Sequence, residues 1–452
     1  MQSVNRFISR YEIHAIRSLS GTNHFRRCHG QKTICRDVGK RTRWERFYWI
    51  VLACTFLACI PLQGWGQDVV VKGKTIHTMA GSPINNGVVV VRDGRIQQVG
   101  PAGQVVIPDG VPVVSAEVVV PGLVDARSTV GLSGIYNVPH DQDQLEHSEP
   151  IQPGLRALDA YNADEKLIAF LRELGVTTIH TGHAPGELIS GQTFIAKTQG
   201  ATMEDAVVVE VAAVAATLSE QARKENKKSP GTRAKMVSML RAKLYQAQEY
   251  LAKQKQPTTD EKKVLEKDLH LDALALVLQK KIPLLVTANR ATDIMNALRI
   301  KKEFEIDLWL DMAADAHLLI DEIKAAEVPV ILHPSMYRAY GDTQNLSFET
   351  AAKLVKAGIP VAIQSGYEPY VPKTRVVLFE AALAAANGLS FAEALGTITI
   401  EPARILGIDK LVGSIEKGKH GDLALYDGDP FEYTTHCVGV VIEGRIVSQE
   451  SR

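Results

Sequence analysis

Eight short apolar runs rich in β-branched residues, alternating along the chain with helical stretches, narrow the folds open to this sequence more than any other feature. The runs are Val118 to Ala126, Val176 to Thr181, Thr193 to Lys197, Ala206 to Val211, Pro283 to Asn289, Asp307 to Met312, Val328 to Pro334 and Pro360 to Gly366. Runs that stay apolar throughout suit strands covered on both faces, as in a parallel sheet wrapped by helices. Eight such strands with helices between them are what an α/β fold of the (β/α)8 barrel type requires. We assign residues 119–408 to that barrel.

The flanks read differently. Asp68 to Lys72, Gly87 to Arg92 and Arg95 to Gly100 are short strand-like runs, and Asp93-Gly94 between the last two is a hairpin signal, because glycine takes positive φ without steric cost. The C-terminus repeats the pattern, with Val438 to Glu443, a turn at Gly444, and Arg445-Ile-Val. Two β segments around a long central region predict one small split β-sandwich domain, with residues 67–118 as its N-terminal part and 409–452 as its C-terminal part. A structural role is expected for it.

Residues 218–281 interrupt the barrel repeat with a stretch rich in Lys, Glu, Gln and Ala. Gly231-Thr-Arg followed by a helical run to Lys253, and Thr259 or Asp260 capping a second helix from Glu261, predict an inserted helical pair. It reads as a lid over the barrel mouth or as a solvated connection.

Residues 1–66 form a leader. A basic run, Lys40-Arg41-Thr42-Arg43 with Arg46, precedes the apolar run Phe47 to Leu62, and small residues follow at Gly64 and Gly66. This is the layout of a signal peptide cut after Gly66, and it predicts export to the periplasm or the outside. An uncleaved membrane anchor and lipidation at Cys59 are the competing readings. The leader holds 11 Lys+Arg against 3 Asp+Glu, leaving 40 against 48 in the body. A net acidic body argues against nucleic-acid binding, which needs a clustered basic surface. Four of the five cysteines lie in the leader, so the single thiol of the body, Cys437, forms neither an internal disulfide nor a cysteine-rich zinc site.

Several motifs then carry a resemblance. Glu117 to Gly134 contains Pro121-Gly-Leu-Val-Asp125, and with it stand Gly175-Val-Thr-Thr178, Ser190-Gly-Gln192, Asp293-Ile294, Thr397 to Gly407, and Val412 to Pro430. Together they resemble the amidohydrolase superfamily of metal-dependent hydrolases, with the composite fold of its imidazolonepropionase-like and dihydroorotase-like members. The likeness spans nearly all of residues 68 to 450. It implies a barrel whose carboxyl strand ends hold a divalent metal, which lowers the pKa of a bound water to about 7 and works with an aspartate as general base.

At the ligand positions the sequence departs from that pattern. Arg127 and Thr129 stand where the family has the two histidines of its first strand, Thr287 where the fifth strand has its histidine, Met312 where the sixth has its own, and Gln364 to Gly366 where the eighth delivers its aspartate. The chain is thus expected to be a divergent branch with a degenerate or relocated metal site. His180 and His183, after the second strand, are the candidate replacement ligands for zinc or manganese. Asp125 and Asp311 are the candidate catalytic carboxylates. Arg127 is the candidate anchor for an anionic substrate. Tyr337, Tyr367 and Glu368, in aromatic loops after strands seven and eight, are candidate substrate contacts, or else ordinary packed loop residues.

Two functions remain open on the sequence. One is a hydrolase acting on a non-peptide carbon–nitrogen bond of a small substrate. The other is a catalytically silent barrel that binds a small ligand or partner. Either is compatible with a homo-oligomer.

Overall fold

In a computed structural model the chain is described over residues 68–136, 138–255, 266–367 and 376–451. The expected leader, the expected cap at Thr259 or Asp260, and Glu368 lie outside the described residues.

The N-terminal segment supplies β1 (Val69–Ile76), β2 (Ile84–Arg92), β3 (Arg95–Pro101) and β4 (Val113–Pro121). The central region supplies β5 (Leu123–Ser128), β6 (Val176–Gly182), β7 (Ile189–Lys197), β8 (Val207–Thr217), β9 (Leu284–Thr287), β10 (Leu308–Met312), β11 (Val330–Leu332) and β12 (Val361–Ile363). The C-terminal segment supplies β13 (Leu423–Tyr426), β14 (Cys437–Ile442) and β15 (Arg445–Ser448).

The outer segments share one seven-stranded sheet in the order β15-β14-β13-β4-β1-β2-β3, so both ends of the described chain meet where β13 pairs antiparallel with β4. Its two tightest hairpins turn on Asp93-Gly94 and Glu443-Gly444, where both residues of each pair have positive φ, the conformation whose twist matches the flanking strands.

The second sheet runs β12-β11-β10-β9-β8-β7-β6-β5 and curls into a nearly closed barrel. The fold is the expected α/β barrel with a split β-sheet beside it. It differs from an all-parallel barrel at one strand, because β7 pairs antiparallel with both β6 and β8. The cause is connection length: residues 183–188 are too few for a parallel crossover, which takes a dozen or more, so the chain turns back as a hairpin.

The seam between β12 and β5 is closed indirectly. Near its amino end Val124 N donates to Ile398 O and Ile363 N to Thr397 O, and near its carboxyl end Gly366 N donates to Arg127 O at 3.2 Å. The motif segment at Thr397 thus wedges the seam open on one side and leaves the backbone of β5 to close it on the other.

Around the barrel run α1 (Lys166–Glu173), α2 (Met203–Ala206), α3 (Arg233–Gln254), α4 (Leu269–Leu278), α5 (Ala291–Phe304), α6 (Ile320–Ala325), α7 (Thr350–Lys356), α8 (Val377–Ala386), α9 (Phe391–Gly396) and α10 (Ile400–Ile405). The insertion contributes α3 and α4. Thr232 caps α3 by accepting from Lys235 N, and Met236, Leu240, Leu244, Ala247 and Tyr250 recur every three or four residues as one buried stripe against α4 and α5. The second helix begins at Leu269, where Asp268 caps the free amides of His270 and Leu271.

Candidate active site

Polar side chains gather at the carboxyl ends of the barrel strands. Asp125 and Arg127, two residues apart on β5, share one face of the strand. Asp125 is fully buried; its Oδ1 accepts from Ser365 N at 3.0 Å and Arg127 N at 3.2 Å, while its Oδ2 has no hydrogen-bond partner. Burial raises its pKa to about 6, against the opposing pull of the Ser365 and Arg127 hydrogen bonds and of the guanidinium charge.

Arg127 is buried beside it. Its guanidinium donates to Ser128 O at 3.1 Å and to the carbonyl of His183, and its Nε–H is left without a partner. Burial lowers the Arg127 pKa from its ordinary value, and the fields of Asp311 and Asp125 oppose that fall.

Asp311 ends β10 with both carboxylate oxygens engaged: Oδ1 accepts from Gln364 Nε2 at 2.8 Å, and Oδ2 accepts from the Thr287 hydroxyl. Directly after it, Met312 and Ala313 both have positive φ, at 67° and 51°. Left-handed backbone at two consecutive non-glycine residues costs about 1–3 kcal/mol each and gathers at functional sites. Ala313 N closes the turn onto Asp311 O at 2.9 Å.

The two histidines of the β6 end differ. His180 places Nδ1 2.7 Å from Ala126 O and Nε2 2.7 Å from Thr193 Oγ1. A carbonyl only accepts, so Nδ1 carries the proton and Nε2 accepts from the threonine. His183 is buried with neither ring nitrogen partnered. Gly191 makes room for it, since a Cβ there would lie 2.4 Å from His183 Cδ2. Burial first, then the Arg127 charge, pushes His180 down to about 3 and His183 to about 4, so both rings are neutral at physiological pH. His333, after β11, donates from Nδ1 to Pro334 O at 2.8 Å, and its Nε2 has no partner.

The space among Arg127, Asp311, Met312, Gln364, Tyr367 and Pro185 measures about 10 Å³, room for about one water. Tyr367 closes part of it, with its hydroxyl accepting from Gln144 Nε2 at 3.1 Å. Tyr337 is half-buried on the loop after β11, outside that lining.

These residues do not fit a divalent metal at the family's position. Arg127 puts N–H donors where lone pairs are needed, Thr129 is hydrogen-bonded to Ser133, and Thr287 and Gln364 are committed to Asp311. The expected relocation to His180 and His183 is not built either, because both nitrogens of His180 are taken up. Among the described residues, no three His, Cys, Asp or Glu side chains group so as to hold an ion.

Glu187, in the β6–β7 loop, is a buried group that no sequence motif marks. Its Oε1 receives Lys224 Nζ and lies 2.9 Å from His147 Nδ1, while Oε2 is unpartnered. Only the fold brings these three together.

An eight-stranded barrel with polar groups gathered toward its carboxyl end, joined to a sheet built from both chain segments, defines a composite α/β-barrel fold. The Amidohydrolase family model matches residues 154–448, well over half of the sequence, and the chain belongs to that family. The match begins after β5, so Asp125 and Arg127 precede it. An amidohydrolase from Thermotoga maritima superposes with a TM-score of 0.80 at 28% identity, covering 84% of this chain and 100% of that one. A molinate hydrolase shares the fold at a TM-score of 0.53 and 16% identity, covering 85% of this chain and 95% of its own. In sequence, the amidohydrolase TasK of Hapsidospora irregularis is 24% identical over 358 residues, 72% of this chain and 36% of TasK. The imidazolonepropionase of Syntrophobacter fumaroxidans is 34% identical over 94 residues, 21% of this chain and 22% of the enzyme. The chain therefore spans about a third or less of the length of these two relatives.

Proposed function

We propose that this chain is an exported amidohydrolase that opens a non-peptide carbon–nitrogen bond, such as that of a cyclic amide, in a small substrate. Membership of a family of carbon–nitrogen hydrolases supports the reaction class. The observation that carries the reading is the Asp125 carboxyl, buried on β5 two residues before Arg127, which lines the enclosed space, with Oδ2 unpartnered and its pKa raised to about 6. A general base or acid works best with a pKa near the operating pH. As water attacks the carbonyl carbon, ionised Asp125 takes the water proton; as the C–N bond breaks, it returns that proton to the departing nitrogen. Arg127, with an uncommitted Nε–H, supplies the positive field in which the intermediate's oxyanion is stabilised. Asp311, its oxygens held by Gln364 and Thr287, positions the floor in this scheme rather than moving protons.

Because the enclosed space admits about one water, substrate entry requires the groups over the mouth, Tyr367 and Pro185 among them, to move aside. The test is a panel of lactams, cyclic imides, linear amides and esters offered to the mature protein, with and without added zinc or manganese. Turnover of an amide or imide that is lost in Asp125→Asn supports the reading; no turnover across the panel overturns it.

The filled floor favours a second reading, a barrel that binds a small ligand without turnover. A compound that raises the thermal midpoint without being consumed would support it.

A further inference from the structure

We propose that Arg127 is the resident cation of this barrel floor in place of a divalent metal, and that Thr287 and Gln364 have become the hydrogen-bond donors that hold Asp311 beside it. This does not depend on the hydrolase reading; it concerns what occupies the site. Asp125 on β5 and Asp311 near the end of β10 are both buried, and buried carboxylates need a cation or protonation to be tolerated. Arg127 lines the same small space as Asp311 and follows Asp125 by two residues on β5, its backbone N donating to Asp125 Oδ1, and its guanidinium feels the charge of both.

The changes at the ligand positions are mutually consistent. A metal needs lone pairs pointing inward, but Arg127 has only donors, and Thr287 turns its hydroxyl hydrogen toward Asp311. Gln364 lies with Nε2 2.8 Å from Asp311 Oδ1 and 2.9 Å from Ile331 O. Both partners are acceptors, so the amide must present its NH2 there, and the two hydrogens of that group are fully used. Two positions resembling metal-ligand positions of the family thus donate to one carboxylate, and a third, Arg127, lines the same small space as that carboxylate. A site emptied by random loss of ligands would not be expected to close into such a network.

The test is made on the folded protein without substrate. Elemental mass spectrometry of chain purified without chelator or metal-affinity tag should find less than about 0.1 metal per chain, and excess zinc or chelator should leave the thermal midpoint unmoved, since an ion that bound the native state would raise it. Arg127→Met and Asp311→Asn should each lower the midpoint by roughly 5–10 °C, and the double variant by clearly less than the sum, because removing both charges leaves neither uncompensated. If Arg127→Met does not fold, Arg127→Gln with Asp311→Asn reads the same coupling. Near-stoichiometric zinc or manganese in the wild type, or additive effects of the two substitutions, would overturn the proposal. Metal-free protein that hydrolyses nothing would sink the hydrolase reading and leave this one standing.

Discussion

The two ends of the barrel both bury charge, and they do so in opposite ways. At the amino end, Lys197 of β7 meets Asp422 just before β13, joining barrel to sheet; Asp422 Oδ1 also accepts from Glu443 N at 2.9 Å, and neither side chain is left with an unpartnered atom. At the carboxyl end, Asp125 Oδ2, Arg127 Nε, Ser128 Oγ, Asn289 Oδ1 and both nitrogens of His183 lack partners. A buried polar atom without a partner costs about 1–3 kcal/mol. The junction is arranged for stability alone, whereas the mouth retains several such atoms and two strained residues after Asp311. On the proposed function, the difference separates a charge pair that holds the fold from groups kept available for chemistry.

The sharpest way to break that comparison is at the junction. Lys197→Met leaves Asp422 buried and uncompensated, and should cost about 3–5 kcal/mol in denaturant unfolding while leaving the properties of the remaining folded protein unchanged. A loss under about 1 kcal/mol would mean that the junction is not the structural clasp described here.

Asp125→Asn should show the inverse signature. On any substrate turned over, kcat/KM should fall at least about 100-fold while the variant unfolds at neutral pH no more easily than the wild type. Its pH dependence sharpens the point. The folded Asp125 pKa, about 6, stands above the ordinary value of 3.8, so between these pH values the native state holds the proton more tightly than the unfolded one. The Asp125 contribution to stability is therefore fully present below about pH 4 and is lost as pH rises to about 6, and the loss should vanish in the asparagine variant.

The smallest effect gives the baseline away from both charged clusters. Thr232→Ala removes the cap of α3 and should cost about 1 kcal/mol without touching activity, as read by thermal unfolding against the wild type.

Much of the fold was legible because its signals are local. The apolar runs anticipated the barrel strands, and Asp93-Gly94 and Gly444 marked the two tightest hairpins of the split sheet. The direction of β7 was not legible, since an apolar run reads alike either way and only the short β6–β7 loop decides it. In the site, the Pro121-Gly-Leu-Val-Asp125 motif drew attention to Asp125 and Arg127, and the structure buries both on β5. His180 drew attention as a ligand because spacing says nothing of what a ring nitrogen meets; here it meets Ala126 O and Thr193. Asp293, part of a family motif, sits at the start of α5 bound to Arg233 of the insertion, a role outside the site. The Lys197–Asp422 pair spans 225 residues and has no signature in sequence.

The claim that Asp125 is a buried carboxyl with one unpartnered oxygen beneath the mouth, poised near neutral pH, is tested most directly by titrating it. A carboxyl infrared difference spectrum, wild type minus Asp125→Asn, followed from pH 4 to 8, should show one group losing its proton near pH 6. A carboxylate already ionised at about pH 4 would contradict the account, because it would mean that Asp125 is solvated or fully paired like the charges at the other end of the barrel.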